Sequence, residues 1–183
     1  MFTQTSQPCQ FDRDCPAVMI PSGEEVVIPA GTVGYITQAL GGSFTVFVDG
    51  NLFRIAGVDA DAIGKEPVLP PELPEDATEE DVERLVWEQI KTCYDPEIPV
   101  NVADLGLIYS CEMTGDSDGA RRVSVVMTLT APGCGMGDIL VEDVRSKIAL
   151  IPTIEEVTVE LTFEPPWNHQ MMSDVARLET GMM

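Results

Sequence analysis

With 183 residues, 44% of them hydrophobic, the chain is long enough for one large domain or two small ones and can fill a packed core, which excludes wholesale disorder. Ten basic against 31 acidic side chains leave a net charge of −21, which repels phosphate backbones and anionic lipid heads and favours basic proteins or metal cations as partners. Nucleic acid and membrane are therefore set aside as partners. No basic-then-apolar signal pattern and no membrane-length apolar run occur, so the expected location is the cytoplasm. In that reducing compartment the five cysteines, which include no C-x-x-C pair, are expected as free thiols. A single histidine and no paired-ligand knuckle argue against a structural zinc site.

Residues 1 to about 14 read as a polar leader running into a strand near Ala17–Ile20. Cys9 and Cys15 flank five residues, which is not a common ligand spacing. From Ser22 to Gly57, short β-like runs alternate with turn signals: Val26–Ile28, Thr32–Thr37, Phe44–Val48 and Leu52–Ala56, with Asp49-Gly50 as a hairpin turn. This density predicts a small SH3-like, β-barrel-like domain over residues 1–63. Residues 64–77 carry Pro67, Pro70, Pro71 and Pro74 among acidic side chains and read as an extended linker.

A second domain is expected over residues 78–183. Thr78 caps a helix with Asp81 three residues on, and Val82, Leu85, Val86, Ile90 and Cys93 share one face at helical spacing. Pro96 and Pro99 force a rigid loop over Asp95–Pro99. Leu105, Leu107, Tyr109, Cys111 and Met113 alternate as the buried face of a strand, and Arg121–Thr130 forms the next. A helix runs to about Leu150. Ile154–Phe163 is the cleanest strand, with Val157, Val159, Leu161 and Phe163 on one face. Met171, Met172, Val175 and Leu178 suggest a last short helix. The expected α-β-β-α-β-α order makes a two-layer α+β domain, with the last strand parallel to the one before it.

The chemistry concentrates between the Arg121–Thr130 strand and the following helix, in Thr-Leu-Thr-Ala-Pro-Gly-Cys-Gly-Met-Gly-Asp. Cys134 stands at a strand-to-helix turn, ringed by Thr130, Pro132, Gly133, Gly135 and Gly137. The glycines leave its thiol unobstructed, and the helix N-terminus favours thiolate over thiol. Such a sulfur suits a soft metal ion, an iron–sulfur fragment or covalent chemistry; the plainer reading is a small residue closing a turn. The loop should sit at the carboxyl end of a strand, where open sheets place ligands, with the Asp95–Pro99 loop expected beside it. A phosphate cradle is disfavoured, because no Lys-Ser/Thr follows and Asp138 adds negative charge. Nucleophilic catalysis by Cys134 would need His169 as base, and that residue lies on the tail.

Asp95-Pro96-Glu97-Ile98-Pro99-Val100-Asn101-Val102-Ala103-Asp104-Leu105-Gly106-Leu107-Ile108-Tyr109, the Thr-Leu-Thr-Ala-Pro-Gly-Cys run and Glu164-Pro165-Pro166-Trp167 arrive in that order. Together they resemble the small iron–sulfur cluster assembly domain family, over about Thr78 to Gly181. Its members include SufT-like and phenylacetate-pathway proteins, and related domains are fused to P-loop cluster-carrier ATPases. The β-rich segment before it looks like the N-terminal extension of the SufT branch. The resemblance implies a non-enzymatic accessory role in iron–sulfur maturation, with assembly machinery and client apo-proteins as partners. It implies Cys134 as the reactive cysteine and Asp95 and Glu97 as an acidic pair, so that Cys134, Asp95 and Glu97 form the metal-ligand set. No tightly bound cofactor is implied, only transient iron or an iron–sulfur cluster, since one thiolate with weak carboxylate help makes an open site. Exposed edges of a three-stranded sheet would admit a homodimer. A cysteine-dependent enzyme and a pure interaction scaffold are the alternatives.

Overall fold

Alternation of apolar and polar side chains governs the first part of the chain. In a computed structural model, which describes residues 6–95, 98–133 and 135–182, the chain divides into two compact units, Met1–Pro70 and Pro71–Met183.

The first unit is one antiparallel sheet of six strands: β1 (Gln7–Gln10), β2 (Cys15–Ile20), β3 (Glu25–Ile28), β4 (Val33–Leu40), β5 (Ser43–Val48) and β6 (Asn51–Ile55), in the order β1-β4-β5-β6-β2-β3. Alternate residues face one core, made of Phe11, Cys15, Ala17, Ile28, Ile36, Val46, Val48, Phe53 and Ile55. The expected barrel is corrected here. The edge strands β1 and β3 pair only with β4 and β2, so among the described residues the sheet stays open. Each edge strand is four residues long, and a 3-10 helix over Gly57–Ile63 supplies Ala62 and Ile63 to the core in place of ring closure. The leader, too, contains a strand that Gln-Pro-Cys-Gln did not announce.

The second unit holds helix α1 (Glu79–Ile90), strands β7 (Ile108–Gly115) and β8 (Arg121–Met127), helix α2 (Gly137–Ala149), strand β9 (Ile154–Leu161), a 3-10 turn over His169–Met171 and helix α3 (Asp174–Thr180). Thr78 Oγ1 accepts from Asp81 N and the Asp81 carboxylate accepts from Thr78 N, a complete capping box. Those backbone and hydroxyl donors hold the Asp81 carboxyl below its usual range. Val82, Val86 and Ile90 recur on the face that this cap aims inward, and burial of each contributes roughly 1.5–3 kcal/mol. The sheet order is β7-β8-β9, with β7 antiparallel and β9 parallel to the central β8. Val123, Val125 and Met127 of β8 join a core with α1 and with Leu140, Val144 and Ile148 of α2, while Arg122, Ser124, Glu112 and Thr158 stay exposed. Both helices therefore cover one face of the sheet. Val157, Val159 and Leu161 are only half-buried, because β9 is an edge.

Candidate functional site

Three backbone hydrogen bonds carry the Asp95 loop to the end of β8. Val102 N donates to Cys93 O at 2.9 Å, Leu107 N to Val102 O at 3.0 Å, and Thr128 N to Leu107 O at 2.8 Å. Cys93, Val102 and Leu107 are fully buried, so this ladder is anchored in the core. It joins Cys93, in the turn after α1, to the first residue of the Thr128–Asp138 run.

Asp95 is only 6% exposed. Its Oδ1 accepts the Ile98 N–H at 3.0 Å, and its own N–H donates to Val100 O at 3.2 Å, which closes an Asx-type turn. Tyr94 and Asn101 form an isolated bridge at the base of this loop. The following turn is held by Asn101 Nδ2, which donates to Asp104 Oδ2 at 2.6 Å, while Asp104 N donates to Asn101 Oδ1 at 2.9 Å. Sequence reading missed this reciprocal pair, whose signal is an Asn-x-x-Asp spacing inside the longer motif.

Of the remaining site residues, Cys134 and Glu97 lie outside the described residues. Thr130 is half-buried; Pro132, Gly133 and Gly135 are exposed. Gly133 has φ of +78°, a left-handed conformation that a Cβ would strain, and a Cβ at Gly135 would meet nothing within 4 Å. Gly137 has a different task. A Cβ there would stand 2.9 Å from Leu129 Cδ1, so the glycine lets the first turn of α2 lie against the end of the β8 segment.

Thr128 is another residue the sequence did not single out. Its Oγ1 is enclosed without a hydrogen-bond partner among the described residues, at a cost of about 1–3 kcal/mol. Nothing in a linear sequence distinguishes such a hydroxyl from a satisfied one. The tail was also underestimated. Trp167 Nε1 donates to Leu105 O at 2.7 Å, Tyr109 Oη to Pro165 O at 2.6 Å, and Ser173 N to Asp104 O at 2.8 Å. The Pro165–Ser173 segment thus straps the turn that follows the Asp95 loop. Gly106, at φ +75°, has no room for a Cβ because the Met171 carbonyl lies on it. His169 packs edge-on against Trp167, with ring centroids 5.1 Å apart.

Cys9, Cys15 and Cys111 are free thiols. Cys15 and Cys93 are core residues. Burial, followed by the nearby Asp59 charge, pushes the Cys15 thiol up to about 11; burial, followed by Glu83, does the same to Cys111. The Cys9 thiol is also raised by burial. These thiols stay protonated near neutrality and are poor ligands. Among the described residues, no three or more His, Cys, Asp or Glu side chains converge as a metal site.

The second unit is thus of the small two-layer α+β class, with backbone bonds that link the Asp95 turn, through Val102 and Leu107, to the strand end preceding the glycine-rich loop. Comparison with known proteins agrees with that class. Residues 83–161 match the model of the family described as "Iron-sulfur cluster assembly protein", wholly within the second unit. The chain is 49% identical over 106 residues to an Fe-S protein maturation auxiliary factor of Porphyromonas gingivalis, covering 58% of this chain and 93% of that protein. It is 36% identical over 88 residues to the auxiliary factor SufT of Staphylococcus aureus, covering 48% and 96% respectively. It is 32% identical over 104 residues to the auxiliary factor YitW of Bacillus subtilis, covering 57% and 98%. The chain belongs to the iron–sulfur cluster assembly protein family. Within that family it is SufT-like.

Proposed function

We propose that the chain is an accessory factor in iron–sulfur protein maturation, one that acts on client apo-proteins and the assembly machinery by contact and by transient handling of iron or a cluster as cargo. It turns over no substrate of its own. The carrying observation is the 49% identity to a maturation auxiliary factor along 93% of that protein's length.

In this reading Cys134 supplies the soft sulfur ligand. Asp95 and Glu97 offer oxygen ligands or charge, and Thr130, Pro132, Gly133 and Gly135 keep the thiol's approach clear. The backbone ladder from Cys93 to Thr128 supports it by tying the Asp95 turn to the strand end that leads to Cys134. One thiol per chain holds cargo weakly, which suits hand-over; a homodimer would double the ligand set. No described helix is long and apolar enough to cross a membrane, in keeping with work beside soluble clients.

The test is to compare cells carrying the natural chain with cells carrying Cys134→Ser, measuring both the activity of iron–sulfur enzymes and the amount of variant protein. Loss of enzyme activity at unchanged protein level is expected. Anaerobic mixing of the purified chain with iron and sulfide, followed by native mass measurement, checks the cargo directly. Mass added to the natural chain should be absent from the variant.

A further inference from the structure

The first unit lies outside residues 83–161, so its task does not follow from the family match. Its sheet has one face on the core and one outward. Cross-strand register aligns a single row on the outward face: Pro8 opposite Tyr35, Tyr35 opposite Phe47, Phe47 opposite Leu52, and Leu52 opposite Ile20. The row crosses β1, β4, β5, β6 and β2 and contains no polar or charged side chain except the Tyr35 hydroxyl. Strands about 4.8 Å apart give it a length of about 19 Å.

Its centre is open: Tyr35 is 48% exposed, Phe47 41% and Leu52 37%. The adjacent inward row, Ile36, Val46 and Phe53, is buried, so the alternation is strict and the outer residues are not displaced core. A contiguous outward row with two aromatics differs from single scattered apolar residues and has the composition of an interface centre.

Charge selects the occupant. Acidic residues lie around the row: Asp49 in the turn beyond Phe47, Glu24 in the turn beyond Ile20, and Glu25 in the next outward row. The cation of that next row, Arg54, is engaged with Ser43 Oγ at 3.0 Å. A second copy would set the same acids and another −21 against this face, and an anionic lipid surface is repelled as well. We propose that this row is a docking surface for a partner protein that presents a short apolar segment flanked by Lys or Arg. The proposal does not depend on the cargo site of the second unit.

The experiment uses the full chain and three synthetic peptides: an apolar centre with lysine flanks, the same centre with glutamate flanks, and a serine centre with lysine flanks. Binding is followed by fluorescence anisotropy, with sedimentation run in parallel. The lysine-flanked apolar peptide is expected to bind best, and Tyr35→Thr/Phe47→Thr should weaken it roughly tenfold or more while threonine preserves strand preference. Leu52→Lys, which leaves both aromatics in place, should weaken the same peptide and spare the glutamate-flanked one. Equal binding of the serine-centred peptide, or binding unchanged in both variants, would overturn the proposal. So would a dimer that the Tyr35→Thr/Phe47→Thr variant dissolves, or binding of the chain to neutral phosphatidylcholine vesicles.

Discussion

Asp95 can both shape its turn and serve the proposed site, and two substitutions separate the roles. Asn keeps the Oδ1 that accepts from Ile98 N but loses the charge, whereas Ala loses both. Asp95→Ala should lower stability by about 1–3 kcal/mol in urea melts. Asp95→Asn should stay near the natural value yet reduce client maturation. If Asp95→Asn unfolds as readily as Asp95→Ala, the charge itself stabilises the turn. Thr128 gives the opposite pattern. Removing an unpartnered hydroxyl by Thr128→Val should leave stability unchanged or raise it by about 1 kcal/mol. A loss there would mean the hydroxyl has a partner in solution. The raised thiols of Cys9, Cys15 and Cys111 predict that, near neutrality, iodoacetamide first modifies Cys134, as read by peptide mass.

Among the elements, α1 was the most legible, because its cap and its apolar spacing lie within one local stretch. The Asp81 carboxyl, held low by its Thr78 donors, stabilises the fold above the ordinary carboxylate value of about 3.9, and that stability is lost as pH falls through its lower folded value. Asp81→Asn should therefore flatten the acid side of the stability–pH curve, and an unchanged slope would remove Asp81 from it. Strand β8 and the helix after the Cys134 loop were equally readable from period. The alternation of Leu105 and Leu107 misled: both are fully buried, yet β7 begins only at Ile108, because a loop strapped by the tail can bury side chains as a strand does. The Met171–Leu178 stripe also misled. Met172 and Ala176 are buried while Val175 and Leu178 are exposed, since α3 starts only at Asp174. Gly106→Ala tests the strap: the blocked Cβ should cost about 2 kcal/mol or more and expose Trp167 fluorescence to quencher.

At the scale of the molecule, the chain divides after Pro70, and the proline-rich stretch and change of hydrophobic period around that point were legible. Closure of the first sheet was not, because four-residue edge strands look alike whether or not they meet. The link from the Asp95 loop to the β8 end runs through the Thr128 N to Leu107 O bond, between residues about twenty positions apart, which no local pattern encodes. The account of function stands on the Cys134 thiol, and the direct measurement is client iron–sulfur enzyme activity in cells whose only copy of this chain carries Cys134→Ser. The account predicts a clear loss of activity with variant level and melting temperature unchanged. Full activity in those cells would contradict it.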